Sequence, residues 1–181
     1  VDEKKLRDTI VKALEENRDS VDIPLVRTPA KIKAGEINNL GIQTLLGEGR
    51  SQYAHSIAGR IYNIALAAAK INGVLIPPGE IFSFNQTVGD ISAATGYKSA
   101  YIIQNGKTVL GDGGGVCQVS TTVFRAALNA GLPIVERHAH AYRVGYYEQD
   151  SKPRIDATVF SPSVDLKFTN NTSRYLLLQA K

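Results

Sequence analysis

The stretch Gly111-Asp112-Gly113-Gly114-Gly115-Val116-Cys117-Gln118-Val119-Ser120-Thr121-Thr122 decides how this chain reads. It opens as a glycine loop and continues as a helix. Val116, Val119, Val123, Ala126, Ala127 and Ala130 share one helical face, and Gly131 with Pro133 ends the run. Cys117 therefore stands in the first turn of a predicted helix. Upstream, Ile57, Ile61, Ile64, Ala68 and Ile71 mark a second apolar helix face that stops at Gly73. Between the helices, Pro77-Pro78-Gly79 reads as a turn and Ile81 to Phe84 as a short strand. Tyr101 to Leu110 reads as a hairpin around Asn105-Gly106. Downstream, Ile134–Val144, Asp156–Phe160, Val164–Phe168 and Tyr175–Gln179 read as strands. This order predicts an α+β fold with helices packed on an antiparallel sheet.

The N-terminal part differs. Leu6, Ile10, Ala13 and Leu14 give residues 1–20 the spacing of an amphipathic helix, and Pro24 and Pro29 punctuate an extended stretch. Gly35, Gly41, Gly47 and Gly49 make residues 34–50 read as a linker. The chain thus divides into 1–45, the end of a preceding domain with its linker, and 51–181.

Composition narrows the classes. An apolar share of 43% and a charged share of 21% fit a globular protein and exclude disorder. No run of about 18 apolar residues is present to cross a membrane. The opening Val1-Asp2-Glu3-Lys4-Lys5 is a charged helix start without signal-peptide character. The net charge of +4 is mild, and no basic cluster interleaved with aromatics predicts a nucleic-acid partner. Cys117 is the one cysteine, so no intrachain disulfide forms, and His55, His138 and His140 are the only histidines.

A cysteine at a helix start sits in the partial positive charge of that terminus, which favours the thiolate. The neighbouring N–H groups are placed to hold an oxyanion, with Gln118 as a further donor. The glycines permit positive φ and close backbone approach to a substrate. Gly113, Gly114, Gly115, Gln118, Ser120 and Thr121 are accordingly the candidate substrate-binding residues. The bland reading of Cys117 is a small apolar side chain at a tight helix start. For the nucleophile reading, His138 or His140 is the candidate base. On a regular strand both would face the same way. Asp156, on the next predicted strand, is the candidate orienting acid. A Cys117–His138–His140–Asp156 zinc site is the rival. The glycine run is not a phosphate loop, since no Gly-Lys-Ser/Thr follows it. No metal or cofactor is expected.

The string Gly113 to Thr122 resembles the signature of the VanW family. Ile76-Pro77-Pro78-Gly79-Glu80-Ile81-Phe82-Ser83-Phe84-Asn85 resembles its upstream motif. Glu136-Arg137-His138-Ala139-His140, Asp156-Ala157-Thr158-Val159 and Asp165 to Thr172 resemble its downstream ones. The likeness covers about residues 51–178. Residues 1–45 resemble the end of the peptidoglycan-binding domain that often precedes it. The resemblance implies an extracellular, cell-surface protein of mostly Gram-positive bacteria, with peptidoglycan as partner, and brings no settled activity.

A second pattern is similar to transglutaminase-like and papain-like cysteine enzymes. There a Gly-x-Cys opens a helix, a Gly-Leu-Pro closes it, a His-Ala-aromatic follows on a strand and an Asp-Ala-Thr comes next. Here these are Gly115-Val116-Cys117, Gly131-Leu132-Pro133, His140-Ala141-Tyr142 and Asp156-Ala157-Thr158. By that likeness Cys117 is the nucleophile, His140 the base and Asp156 the orienting acid, with His138 outside. The tryptophan often found before the aspartate is missing. Two functions follow as expectations. One is a cysteine amidase, peptidase or transpeptidase acting on stem-peptide or crossbridge amides. The other is a non-catalytic peptidoglycan-binding or scaffolding module. Outside the cell an unpaired thiol is exposed to oxidation, which adds weight to a working Cys117.

Overall fold

Burial follows the apolar periodicity where a helix has a partner and departs from it where polar side chains take over the packing. The computed structural model describes residues 1–30, 32–33, 35, 39–104, 106–149 and 151–181, and it divides into two units, Val1–Asn39 and Leu40–Lys181.

In the first unit, α1 (Glu3–Glu15) is capped by Asp2, whose carboxylate accepts the Lys5 N–H at 3.0 Å. Ala13 is its one buried residue, and Leu14 is 71% exposed.

The second unit is mixed α and β. It contains α2 (Ala58–Ile71), β1 (Leu75–Ile76), β2 (Ile81–Ser83), α3 (Phe84–Val88), β3 (Ser99–Gln104), β4 (Lys107–Asp112), α4 (Val116–Asn129), β5 (Ile134–Glu136), β6 (Lys167–Thr169) and β7 (Leu176–Leu177). The strands form three small antiparallel sheets, ordered β2-β6-β5, β1-β7 and β3-β4. The core lies where α2 and α4 meet the three-stranded sheet. Ile64, Ala67 and Ile71 pack with Val116, Val119, Val123 and Ala127, and with Phe82 and Phe168. Those two rings face each other across β2 and β6 with centroids 4.8 Å apart.

Helix α4 ends as its sequence implies. Gly131 takes φ +69°, its N–H reaches the Leu128 carbonyl and the Leu132 N–H reaches that of Ala127, a Schellman closure. The hairpin pairs Tyr101 with Leu110 and turns at Gly106, φ +71°; the other expected turn residue, Asn105, lies outside the described residues.

Several expectations are corrected. On α2, Ile57 and Ile61 are 46% and 43% exposed, while Asn63 is fully buried. The buried face is rotated because an asparagine amide occupies it. The predicted strand to Phe84 stops at Ser83, whose hydroxyl accepts the Gln86 N–H at 3.2 Å and starts α3. The predicted strand Ile134–Val144 ends at Glu136, after a register irregularity between Ile134 and Glu136. Beyond it only the isolated bridge His138–Thr158 remains. Asp156–Phe160 is likewise held by isolated bridges rather than a ladder. Residues 40–50, read as linker, belong to the second unit. A Cβ on Gly47 would lie 2.5 Å from the Ala130 nitrogen, and one on Gly49 2.0 Å from the Thr122 carbonyl oxygen. Glycine is required there because this segment lies flat on α4.

Candidate active site

Cys117 is the second residue of α4 and is partly buried. Its sulfur lies 3.6 Å from the Val159 carbonyl oxygen and 3.7 Å from Thr158 Oγ1. His140 lies close enough for its charge to act on the sulfur, although the bonds the sulfur makes are to Thr158 and Val159. The imidazole meets Asp156, with Nδ1 to Oδ2 at 2.5 Å. The same Oδ2 accepts the His140 backbone N–H at 2.9 Å. Tyr147 packs against the ring at a centroid distance of 5.4 Å. A narrow recess adjoins the imidazole, lined in part by Tyr142, Val144 and Ile155. His140 and Asp156 thus form a buried pair, with Cys117 near enough to the imidazole for each to shift the other's titration.

The electrostatics agree with that arrangement. Burial alone would push the Cys117 thiol up, but the hydrogen bond and charge of His140 outweigh it and bring the thiol below its usual value. Burial alone would lower His140, but the bond its ring N–H donates to Asp156, and then the influence of Cys117, push it up to about 9. Burial would raise Asp156, but its hydrogen bonds to His140 and the charges of His140 and Arg137 hold it below the usual carboxylate range. His140 is thus held in its charged form at neutral pH, and Cys117 is shifted toward its thiolate.

His138 is not part of this group. Its side chain is 52% exposed and its Nε2 lies 3.4 Å from Glu136 Oε1. The expected common face of the two histidines fails because strand geometry has ended before them. The four residues of the zinc reading are therefore not brought together. Among the described residues no group of three or more His, Cys, Asp or Glu side chains is placed to hold a metal ion.

The candidate substrate-binding residues are mostly occupied by the protein itself. A Cβ on Gly114 would lie 2.6 Å from the Tyr101 carbonyl oxygen, and one on Gly113 2.1 Å from Ile91 Cγ2. Gly115, at φ +112°, faces the Arg60 carbonyl. The glycines let the loop press against β3 and α2, and so fix where α4 starts. Gln118 is buried, accepts from Arg60 Nη2 at 2.6 Å and donates to the Gln52 carbonyl at 3.2 Å. Its amide is spent on structure rather than on an oxyanion. Ser120 and Thr121 are fully buried. The Ser120 hydroxyl donates to the Ala157 carbonyl at 2.6 Å. Thr121 Oγ1 accepts the Ala157 N–H at 3.1 Å. These two residues tie the segment bearing Asp156 to the helix bearing Cys117.

Three residues escaped the sequence reading. Asn63 donates to the Lys98 and Gly114 carbonyls at 2.8 and 3.0 Å and accepts the Lys98 N–H at 2.8 Å, pinning the glycine loop. Arg125, 5% exposed, donates to the carbonyls of Arg50, Tyr147 and Ile155. Arg137 reaches Asp156. The available signal was a polar or charged residue within an apolar helix pattern for the first two. For Arg137 it was the Glu136-to-His140 motif itself.

Comparison with known proteins agrees with this second unit. The family described as VanW like protein matches residues 59–181. A Bacillus subtilis protein, described as uncharacterized protein YoaR, is 37% identical over 161 residues, which are 89% of this chain and 52% of that protein. The vancomycin B-type resistance protein VanW of Enterococcus faecalis is 37% identical over 114 residues, 62% of this chain and 42% of its own length. The chain spans about half the length of these relatives. No solved structure matches it, so the likeness to transglutaminase-like enzymes stays one of motif order. On the strength of the match over residues 59–181, the chain belongs to the VanW-like family.

Proposed function

We propose that the second unit is a cysteine acyl-transfer module of the cell envelope, acting on peptide amides of peptidoglycan. The observation that carries the reading is the buried His140–Asp156 pair, Nδ1 to Oδ2 at 2.5 Å, beside a helix-start Cys117 whose thiol the charge of His140 lowers. The relative named as a vancomycin resistance protein supports the envelope as the setting.

In the first step the Cys117 thiolate attacks the amide carbonyl carbon. Negative charge gathers on the carbonyl oxygen. The first-turn N–H groups of Val116 and Gln118 are taken by the Gly113 and Gly115 carbonyls at 3.0 and 2.9 Å. The Cys117 N–H has no such partner among the described residues, and it is the donor for this oxyanion. The His140 imidazolium gives its proton to the departing nitrogen, the C–N bond breaks and a thioester remains. Water or an amine then attacks the thioester, His140 takes the proton and Cys117 leaves as thiolate. Asp156 holds the imidazole in one tautomer and offsets its charge throughout.

The test is incubation of the chain with soluble stem peptides and bridged muropeptides, followed by intact-mass analysis. A mass increase matching the acyl group, located on Cys117 and absent from Cys117→Ala, supports the reading. Peptide binding that is the same in Cys117→Ala, with no adduct and no cleavage, replaces it with the binding-module reading.

A further inference from the structure

Arg137 lies between the two histidines' strand end and the acid, and neither the proposed catalytic group nor the packing core accounts for it. Its Nε donates to the Asp156 carbonyl at 2.7 Å. Its Nη2 donates to the Arg154 carbonyl and to Asp156 Oδ1, the latter at 3.3 Å. Its guanidinium also lies over the Phe124 ring of α4, 5.1 Å from the centroid. The two oxygens of Asp156 are thereby divided. Oδ1 belongs to Arg137, and Oδ2 to the backbone N–H and Nδ1 of His140.

We infer that Arg137 is a positioning residue of the site: its planar fork fixes the rotation of the Asp156 carboxylate so that one oxygen always faces His140. The inference rests on the acyl-transfer reading of Cys117. A carboxylate held only through one oxygen by His140 could swing about its last bond and carry that oxygen out of line with Nδ1. A fork that also grips the main chain on both sides of Ile155 removes that freedom. The contact with Phe124 ties the fork to the helix that carries the nucleophile.

The arrangement has a charge consequence. Asp156 faces His140 and Arg137 from the segment after β5, and Glu148, paired with Arg143, from the following loop. Arg125 of α4 grips the neighbouring Ile155 carbonyl. Beside the His140 imidazolium, Arg137 is a second cation in contact with the carboxylate, and it adds to the effect of His140 in favouring the ionised acid. Without it Asp156 takes up a proton at higher pH. A protonated acid no longer supports the imidazolium, and the thiolate is lost with it.

The experiment is the rate of Cys117 alkylation by iodoacetamide across pH, read by mass spectrometry on the 181-residue chain, with folding checked by circular dichroism. The wild type is expected to react at neutral pH well above the rate of a free thiol. Arg137→Gln is expected to react about tenfold more slowly there, with the acid side of its profile moved up by half a pH unit or more. Arg137→Lys keeps the charge and loses the fork. It is expected to keep the position of the profile while reacting about threefold more slowly. A folded Arg137→Gln with the wild-type rate and profile overturns the inference and leaves the acyl-transfer reading standing. If Arg137→Gln does not fold, an unchanged Arg137→Lys overturns it instead. A wild-type thiol that reacts like a free one overturns the acyl-transfer reading and this inference with it.

Discussion

His138 and His140 stand two residues apart in one motif and end in opposite surroundings. His140 is buried, with Asp156 bonded to its ring and Cys117 nearby. His138 is half exposed beside Glu136 and bridges Thr158 through its backbone. Their own neighbours in sequence do not separate them. What separates them is the segment sixteen to twenty residues further on, which offers a buried carboxylate to one and a bridging backbone to the other. Burial of an imidazole needs a hydrogen-bond partner, and only position 140 is offered a buried one.

That contrast can be broken at several points. The largest expected effect is Cys117→Ala, which removes the proposed nucleophile and, on the acyl-transfer proposal, should lower amide turnover of a responsive muropeptide by roughly 10³-fold or more. His140→Asn should lower it by about 10²- to 10⁴-fold, the usual scale of a lost general base. The same variant should move the alkylation profile of Cys117 up toward that of an ordinary thiol, since the imidazolium that lowers it is gone.

The pH dependence of the wild type sharpens the assignment. Cys117 is held below its usual value and His140 up at about 9. Turnover should therefore fall on the alkaline side near pH 9, where the imidazolium loses the proton destined for the leaving nitrogen. It should fall on the acid side where the thiolate is protonated. Alkylation, which needs no proton donor, should not fall with turnover at high pH. His138→Gln closes the series. It should leave both turnover and alkylation within about twofold of wild type, the range of a surface change away from the site. A loss comparable with that of His140→Asn would reverse the assignment of the two histidines.

A separate effect is expected in stability rather than rate. Thr121→Val removes the hydroxyl that pairs with the Ala157 N–H and leaves that buried donor without its partner. About 1–3 kcal/mol of stability should be lost, measured by urea unfolding.

The order Cys117, His140, Asp156 was legible because each residue sits in a short local motif. The end of α4 was legible because glycine and proline punctuate it. The strand beyond Glu136 was not, because the irregularity that ends β5 leaves no mark in an alternating run of residues. Ser120 and Thr121 read as groups for a substrate, since a hydroxyl beside a cysteine looks the same whether its partner is a ligand or the chain's own backbone. Asn63, Arg125 and Arg137 each bond main-chain groups, and a main-chain group has no sequence identity. Such pairings stay hidden until the backbone is placed.

The Gly47–Arg50 segment bears on where this unit can be cut. A fragment trimmed to the family match at residue 59 would lack the strip lying on α4 and uncover the backbone around Thr122, Ala126 and Ala130. It would also deprive Arg125 of the Arg50 carbonyl and Gln118 of that of Gln52, two anchors on the same helix as the nucleophile. The smallest self-sufficient piece therefore starts before Gly47, and a bond broken between Gly47 and Gln52 would loosen the site from behind.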